Sequence, residues 1–301
     1  MKCGKIIKVA GVLVTEFLIL SGVSGGVESA RIWSLQQQAA VAECAGDIQN
    51  AVSLYADAAR VALTVKPDQA EKHVEIALDK AAAVSDMDTI LSLLQLANGQ
   101  VWSRDVTLHG AEAMAQNHFP AGARILIMRL PVPGAGNHDT DYCRAWVDTY
   151  IKIGNAYVVT GGLEAARAVF DVVFETVDEE GLVELGDPLL VWRLYLSYGR
   201  IHYQLGDSDR ALVSLEAALD AIRPAEMPPA VRADDLVASE AQTLVSLGLF
   251  HAKELGDLEG GEALVHEALT TLGSREADPI KSARGIAEEA LRTIDELNIN
   301  P

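Results

Sequence analysis

The sequence predicts an all-α chain of about six antiparallel helix pairs closed by a C-terminal capping helix, and three observations carry that expectation. The first is residues 195–224, YLSYGRIHYQLGDSDRALVSLEAALDAIRP, which spell a two-helix unit. Tyr195, Tyr198 and Leu205 fall on one helical face, and Gly206-Asp207 breaks the helix. Ala211, Leu212, Leu215, Ala218 and Leu219 then form a second stripe at the i, i+3, i+4, i+7 spacing of a buried face. The second observation is recurrence, because a single pair cannot bury both of its faces. Tyr150, Ile153-Gly154, Tyr157, Gly161-Gly162, Ala166 and Phe170 repeat the pattern. Val245, Gly256-Asp257, Gly261, Ala263, Leu264, Ala268 and Leu269 repeat it more weakly, and Gly46-Asp47, Ala51, Tyr55 and Ala58 repeat its second half. The third is composition: residues are 50% hydrophobic but only 5% aromatic, with no strand-like alternation to compete.

Tyr195-x-x-Tyr198-Gly199-x-x-His202, then Ala211-x-x-x-Leu215-x-x-Ala218 with Pro224 beyond, resembles the tetratricopeptide repeat. That pattern is an aromatic, a small Gly and a second aromatic, then Ala and Phe on the second helix. His202 stands in place of the second aromatic and Leu215 in place of Phe. The resemblance is strongest over residues 147–224 and implies a right-handed solenoid. Its first helices would line a concave groove that holds an extended peptide or a helix of another protein. Two further pairs are recognisable by apolar spacing alone: residues 70–97 with a break at Ser85-Asp86, and 106–130 with a break at Phe119-Pro120. Aligning the small residue of each second helix gives Ala51, Ile90, Ala123, Ala166, Ala211 and Gly261.

In chain order, residues 1–29 read as a signal peptide: Lys2, Lys5 and Lys8 precede an apolar run over 9–23, and small residues follow over 21–29. Cleavage after Gly26 or Ser29 places the mature protein in the periplasm or outside the cell. Glu16 interrupts the apolar run, which leaves an uncleaved anchor, or a cytoplasmic chain with a misplaced start, as alternatives. Residues 30–130 form a degenerate helical-repeat half, 131–141 a Pro/Gly-rich linker, and 142–301 the regular half. Asp68-x-x-Glu71 after Pro67 suggests a capping box, and Asp187-Pro188 an N-cap before a proline at the first helical position. Residues 178–188 (acidic) and 223–235 (Pro-rich) are expected to be expanded loops. The last helix, 280–297, sets Ile280, Ala283, Ile286, Ala287, Ala290 and Ile294 on one face, the form of a terminal cap. Cys44 and Cys143 lie in repeats too far apart for a disulfide and are expected to be separate small core residues.

Charge and motifs bound the chemistry. The net charge of −19, about −20 once three Lys and two Glu leave with residues 1–29, argues against nucleic acid and against adhesion to an anionic membrane. There is no phosphate loop, CxxC, HExxH or GxSxG, so no catalytic residue, metal or cofactor is assigned. His138, Asp139 and Asp141 are a turn before they are a metal site. The expected function is a non-catalytic protein–protein interaction scaffold of the bacterial envelope. An envelope ligand-binding or hydrolytic protein using the same groove for a sugar or peptide is the alternative. Carrying the repeat register onto the regular half sets Asn155, Arg193, Arg200, Tyr203, Gln204, Phe250 and Lys253 toward the groove. The resemblance implies that an Asn at the place of Asn155, with basic residues on the following helices, grips a peptide's C-terminal carboxylate. The competing reading is that Arg193 and Arg200 neutralise the acidic stretch 178–187.

Overall fold

A computed structural model describes residues 24–65, 67–96, 104–133, 139–223 and 233–299. Most of the expected export segment, His138 of the candidate turn, and Pro224 lie outside the described residues. Among the described residues every regular element is a helix: α1 (Ser24–Ala45), α2 (Ile48–Val65), α3 (Pro67–Ala83), α4 (Met87–Leu96), α5 (Arg104–Gln116), α6 (Pro120–Ile127), α7 (Thr140–Val159), α8 (Leu163–Thr176), α9 (Glu179–Glu184), α10 (Pro188–Gln204), α11 (Ser208–Ile222), α12 (Asp234–Glu254), α13 (Leu258–Leu272) and α14 (Asp278–Ile299). They fall into two compact units, Met1–Pro131 and Val132–Pro301. The first unit holds the pairs α1/α2, α3/α4 and α5/α6, and the second holds α7/α8, α10/α11 and α12/α13 with α14 packed on the last pair.

The turn inside each pair is the same device six times. One residue takes a left-handed backbone: Gly46, Gly161, Gly206 and Gly256, but also Ser85 and His118, both at φ +58°. The N–H of the following residue then donates back into the last turn of the first helix, at 2.8–3.0 Å. The donors are Asp47 to Ala42, Asp86 to Ala81, Phe119 to Met114, Gly162 to Tyr157, Asp207 to His202 and Asp257 to His251. In four pairs that donor is an aspartate that also caps the second helix, as Asp257 does by accepting from Gly260 N at 2.9 Å. Residues 70–97 and 106–130 therefore carry the repeat even though their sequences keep only its periodicity.

Small side chains let the two helices approach closely at five of the six aligned positions, Ala51, Ala123, Ala166, Ala211 and Gly261, while the α3/α4 pair has Ile90; all six are buried. Opposite them, twelve or thirteen residues earlier, stand Ala39, Gly110, Gly154, Gly199 and Gly248 in five pairs. A Cβ on Gly199 would lie 3.1 Å from Leu215 Cγ and 3.2 Å from the Ala211 carbonyl oxygen. On Gly248 it would meet the Gly261 carbonyl oxygen at 2.7 Å, and on Gly154 it would overlap the Phe170 ring.

Several local expectations are corrected. The acidic stretch 178–188 is not an open loop but contains α9: Asp178 accepts from Gly181 N at 2.8 Å, and Leu182 and Leu185, one turn apart, are both buried. Asp187 caps α10 as expected, accepting from Leu190 N at 3.0 Å. Helix α3 already starts at Pro67, so Asp68 lies inside the first turn rather than at the cap. On α14, Ile280, Ala283, Ala287, Ala290 and Ile294 are buried against α12 and α13, whereas Ile286 is exposed. Neither Cys44 nor Cys143 is in a disulfide, as expected, but Cys44 is exposed rather than in the core. Cys143 is half-buried, and that burial raises its thiol pKa, which keeps it a poor nucleophile.

Candidate partner-binding face

In the second unit the first helices α7, α10 and α12 neighbour one another in order, α10 touching both of the others. Asn155 on α7, Arg193, Arg200, Tyr203 and Gln204 on α10, and Lys253 on α12 are exposed. Phe250 is not: at 3% exposure it is a support for this face rather than a contact on it. Its ring lies edge-on to Tyr203 with centroids 6.0 Å apart. Tyr203 also hydrogen-bonds Glu254, and burial followed by that carboxylate raises the phenol pKa.

Electrostatics divide the cations. Arg193 pairs with Asp148 Oδ1 at 2.9 Å, and Lys152 reaches Oδ2 of the same carboxylate at 2.9 Å. The reading that Arg193 neutralises the acidic stretch 178–187 is therefore replaced: its partner is on α7. Sequence reasoning passed over Asp148, although an acid four residues before Lys152 on a helix is a readable signal. Among the described residues Arg200 and Lys253 have no carboxylate within ion-pair distance. Neighbouring side chains desolvate Arg200 enough to lower its pKa, but a guanidinium stays charged at any physiological pH.

Behind the face several polar groups are paired across helices, whereas both ring nitrogens of the buried His202 lack a hydrogen-bond partner among the described residues. Trp192 Nε1 donates to Thr243 Oγ1 at 2.8 Å and ties α10 to α12. Arg223, at the end of α11, holds the buried Glu240 at 2.8 Å and Glu267 at 2.5 Å. His202 is a packing residue, as expected: it is fully buried, edge-on to Tyr198 at 4.3 Å, with Nδ1 at 3.2 Å from Asp207 Oδ2. Desolvation lowers its pKa, and Asp207 opposes that shift. Of the candidate metal turn, Asp139 caps α7 by accepting from Tyr142 N at 3.0 Å, and Asp141 pairs with Arg144 at 3.1 Å. Among the described residues no three ligand side chains converge on a cation position, and no helix is long and apolar enough to cross a membrane.

In this unit Gly154 packs on Phe170, Gly199 on Ala211 and Leu215, and Gly248 on Gly261 and Val265, the positions that the repeat places on the second helix. The fold is tetratricopeptide-like. No family model matches the chain, and no curated protein matches it. Among solved structures it is similar to BtubC (BKLC) from P. vanneervenii, at 18% identity and TM-score 0.49, covering 93% of this chain and 95% of that one. It is also similar to a tetratricopeptide repeat protein from Parabacteroides merdae ATCC 43184, at 13% identity and TM-score 0.32, covering 86% and 99%. At these identities and TM-scores neither says what this tetratricopeptide-like chain binds.

Proposed function

We propose that the chain is a non-catalytic interaction scaffold of the bacterial envelope that takes a peptide or helix of a partner protein on the face of α7, α10 and α12. The observation that supports this reading is the division of labour in the second unit. Apolar side chains are spent on stacking the pairs, while Asn155, Arg200, Gln204 and Lys253 stand exposed on consecutive first helices. Arg200 presents a planar fork with no acidic partner among the described residues, on a chain that is otherwise strongly acidic, so the segment bound there ends in a carboxylate or carries one. Export rests on the order of Lys2, Lys5 and Lys8, the apolar run 9–23 and the small residues after it.

The test is fluorescence anisotropy of the purified protein with labelled acidic peptides, each made with a free and with an amidated C-terminus. The free carboxylate binds more tightly, and Arg200→Ala removes about 1.5–3 kcal/mol of that affinity if the guanidinium makes a charged hydrogen bond. Equal affinity for both ends, unchanged in Arg200→Ala, rejects the site. Export is checked separately by sequencing the mature N-terminus in the host, which should fall between Ser24 and Arg31; retention of Met1 on a cytoplasmic protein refutes it.

A further inference from the structure

On a different surface of the same unit, where α8, α9, α10 and α11 meet, the structure contains an open cleft of about 580 Å³. Three aromatic rings build it: Phe174 lies 5.2 Å from Tyr195 and 4.8 Å from Tyr198, centroid to centroid, and the two tyrosines are one helical turn apart on α10. Tyr198 is locked in place by donating to Asp171 at 2.6 Å. Its hydroxyl is therefore committed to Asp171, and what Tyr198 offers a ligand is ring surface.

The lining of the cleft is net acidic. Asp178, Glu179 and Asp209 line it with a single cation, Arg210, so three carboxylates against one guanidinium leave a net charge of −2. Arg210 leans toward Asp207, 3.6 Å away, the cap of its own helix. Glu179 is close enough to Tyr195 to add to the effect of burial in raising that phenol pKa. One apolar side chain of the lining, Val213, is 65% exposed. Rings with an electron-rich face, under a rim of carboxylates, match an organic cation and repel an anion. A purely apolar plug would have to desolvate those carboxylates without pairing them, which is costly. Of the cationic side chains, arginine meets both demands at once, stacking its plane on a ring while its fork reaches a carboxylate.

We propose that this cleft is a second docking site, for a basic peptide segment of a partner protein whose arginine side chain enters between Phe174, Tyr195 and Tyr198 beneath Glu179 and Asp209. It is independent of the carboxylate-binding face, since the two share no side chain and prefer opposite charge. The short helix α9 supplies one wall and part of the acidic rim.

The probe is a labelled, acetylated and amidated Ala-Arg-Ala-Arg-Ala peptide, compared with the versions that carry Gln or Leu in place of Arg, titrated into the whole protein. The Arg peptide binds at least about tenfold more tightly than the Gln peptide. Glu179→Gln with Asp209→Asn, two exposed positions, weakens it by about tenfold, and Phe174→Leu weakens it without changing net charge. Glu288→Gln with Glu296→Gln on α14 removes the same charge elsewhere and leaves affinity unchanged. Equal losses in the two charge doubles, tighter binding of the Leu peptide, or no effect of Phe174→Leu would each overturn the proposal. Arg200→Ala leaves this peptide's affinity intact, so failure here and failure on the other face are told apart.

Discussion

The two units run the same turn and the same helix pairing with different materials. In Met1–Pro131 the core is alanine and branched aliphatics: Ala51, Ala58, Ala62, Ala77, Leu78, Ala81, Ile90, Leu93 and Ile127. In Val132–Pro301 it has aromatic anchors, with Trp146 and Phe170 among the largest fully buried side chains, and every ring–ring contact among the described residues lies between Trp146 and Phe250. The first unit also places Ser85 and His118 in the left-handed slot that glycine fills in the other four pairs. Pair geometry therefore rests on a left-handed turn in all six pairs and on small residues at the helix contact in five of them, while aromatics make the repeat recognisable in the second unit.

The largest effect should separate the units at one repeat position, four residues after the aligned alanine. Phe170→Ala is expected to cost about 3–5 kcal/mol and its counterpart Ile127→Ala about 2–4, read by urea denaturation. A cost for Ile127→Ala that exceeds that for Phe170→Ala would mean the aromatics are not the main anchors. Next comes the helix contact itself. Gly248→Ala drives a methyl into the Gly261 carbonyl and should cost about 1–3 kcal/mol. Gly110→Ala meets only the ends of Leu94 and Leu126, at 3.0 and 3.4 Å, and should fall near neutral because alanine favours the helix by about 0.5–1 kcal/mol. Melting temperatures that shift equally for both would show that backbone approach is not what distinguishes the sites.

A smaller effect, of opposite sign, is expected at the turns of the first unit. Ser85→Gly and His118→Gly relieve a left-handed backbone and should each raise stability by about 0.5–1 kcal/mol, after allowing for the extra freedom glycine gives the unfolded chain. Gly206→Ala should do the reverse, and stabilisation by that change would refute the shared-slot reading. The least effect concerns pH. Burial lowers the His202 pKa in the folded state, so the folded protein holds that proton less tightly than the unfolded chain does. Stability from this group is complete above the unfolded value of about 6.5 and is lost as pH falls below it. His202→Phe should flatten the decline in melting temperature between pH 7.5 and 5 more than His73→Gln does. His73, likewise lowered by desolvation, is only half-buried and already bonded to Gln36 at 2.8 Å. A steeper decline in His202→Phe would reverse the assigned sign.

Sequence alone determined the helical class, the number of pairs and the residues at each second-helix contact, because these depend on local chemistry. A 3.6-residue apolar period, a Gly-Asp break and a capping aspartate each act within one or two turns of where they are written. Breaks at Ser85-Asp86 and Phe119-Pro120 are legible for that reason, although the glycine-like backbone of Ser85 and His118 is not, since neither side chain announces it. What tertiary structure decided is which polar groups remain free and where surfaces converge. Asp148 pairs with Arg193 of the candidate face, Phe250 is covered by Tyr203, and the acidic stretch after Val177 walls an aromatic cleft. Each of these depends on side chains from different helices meeting, tens of residues apart in the chain. Periodicity places a residue on a face, but only packing selects the partner it finds there.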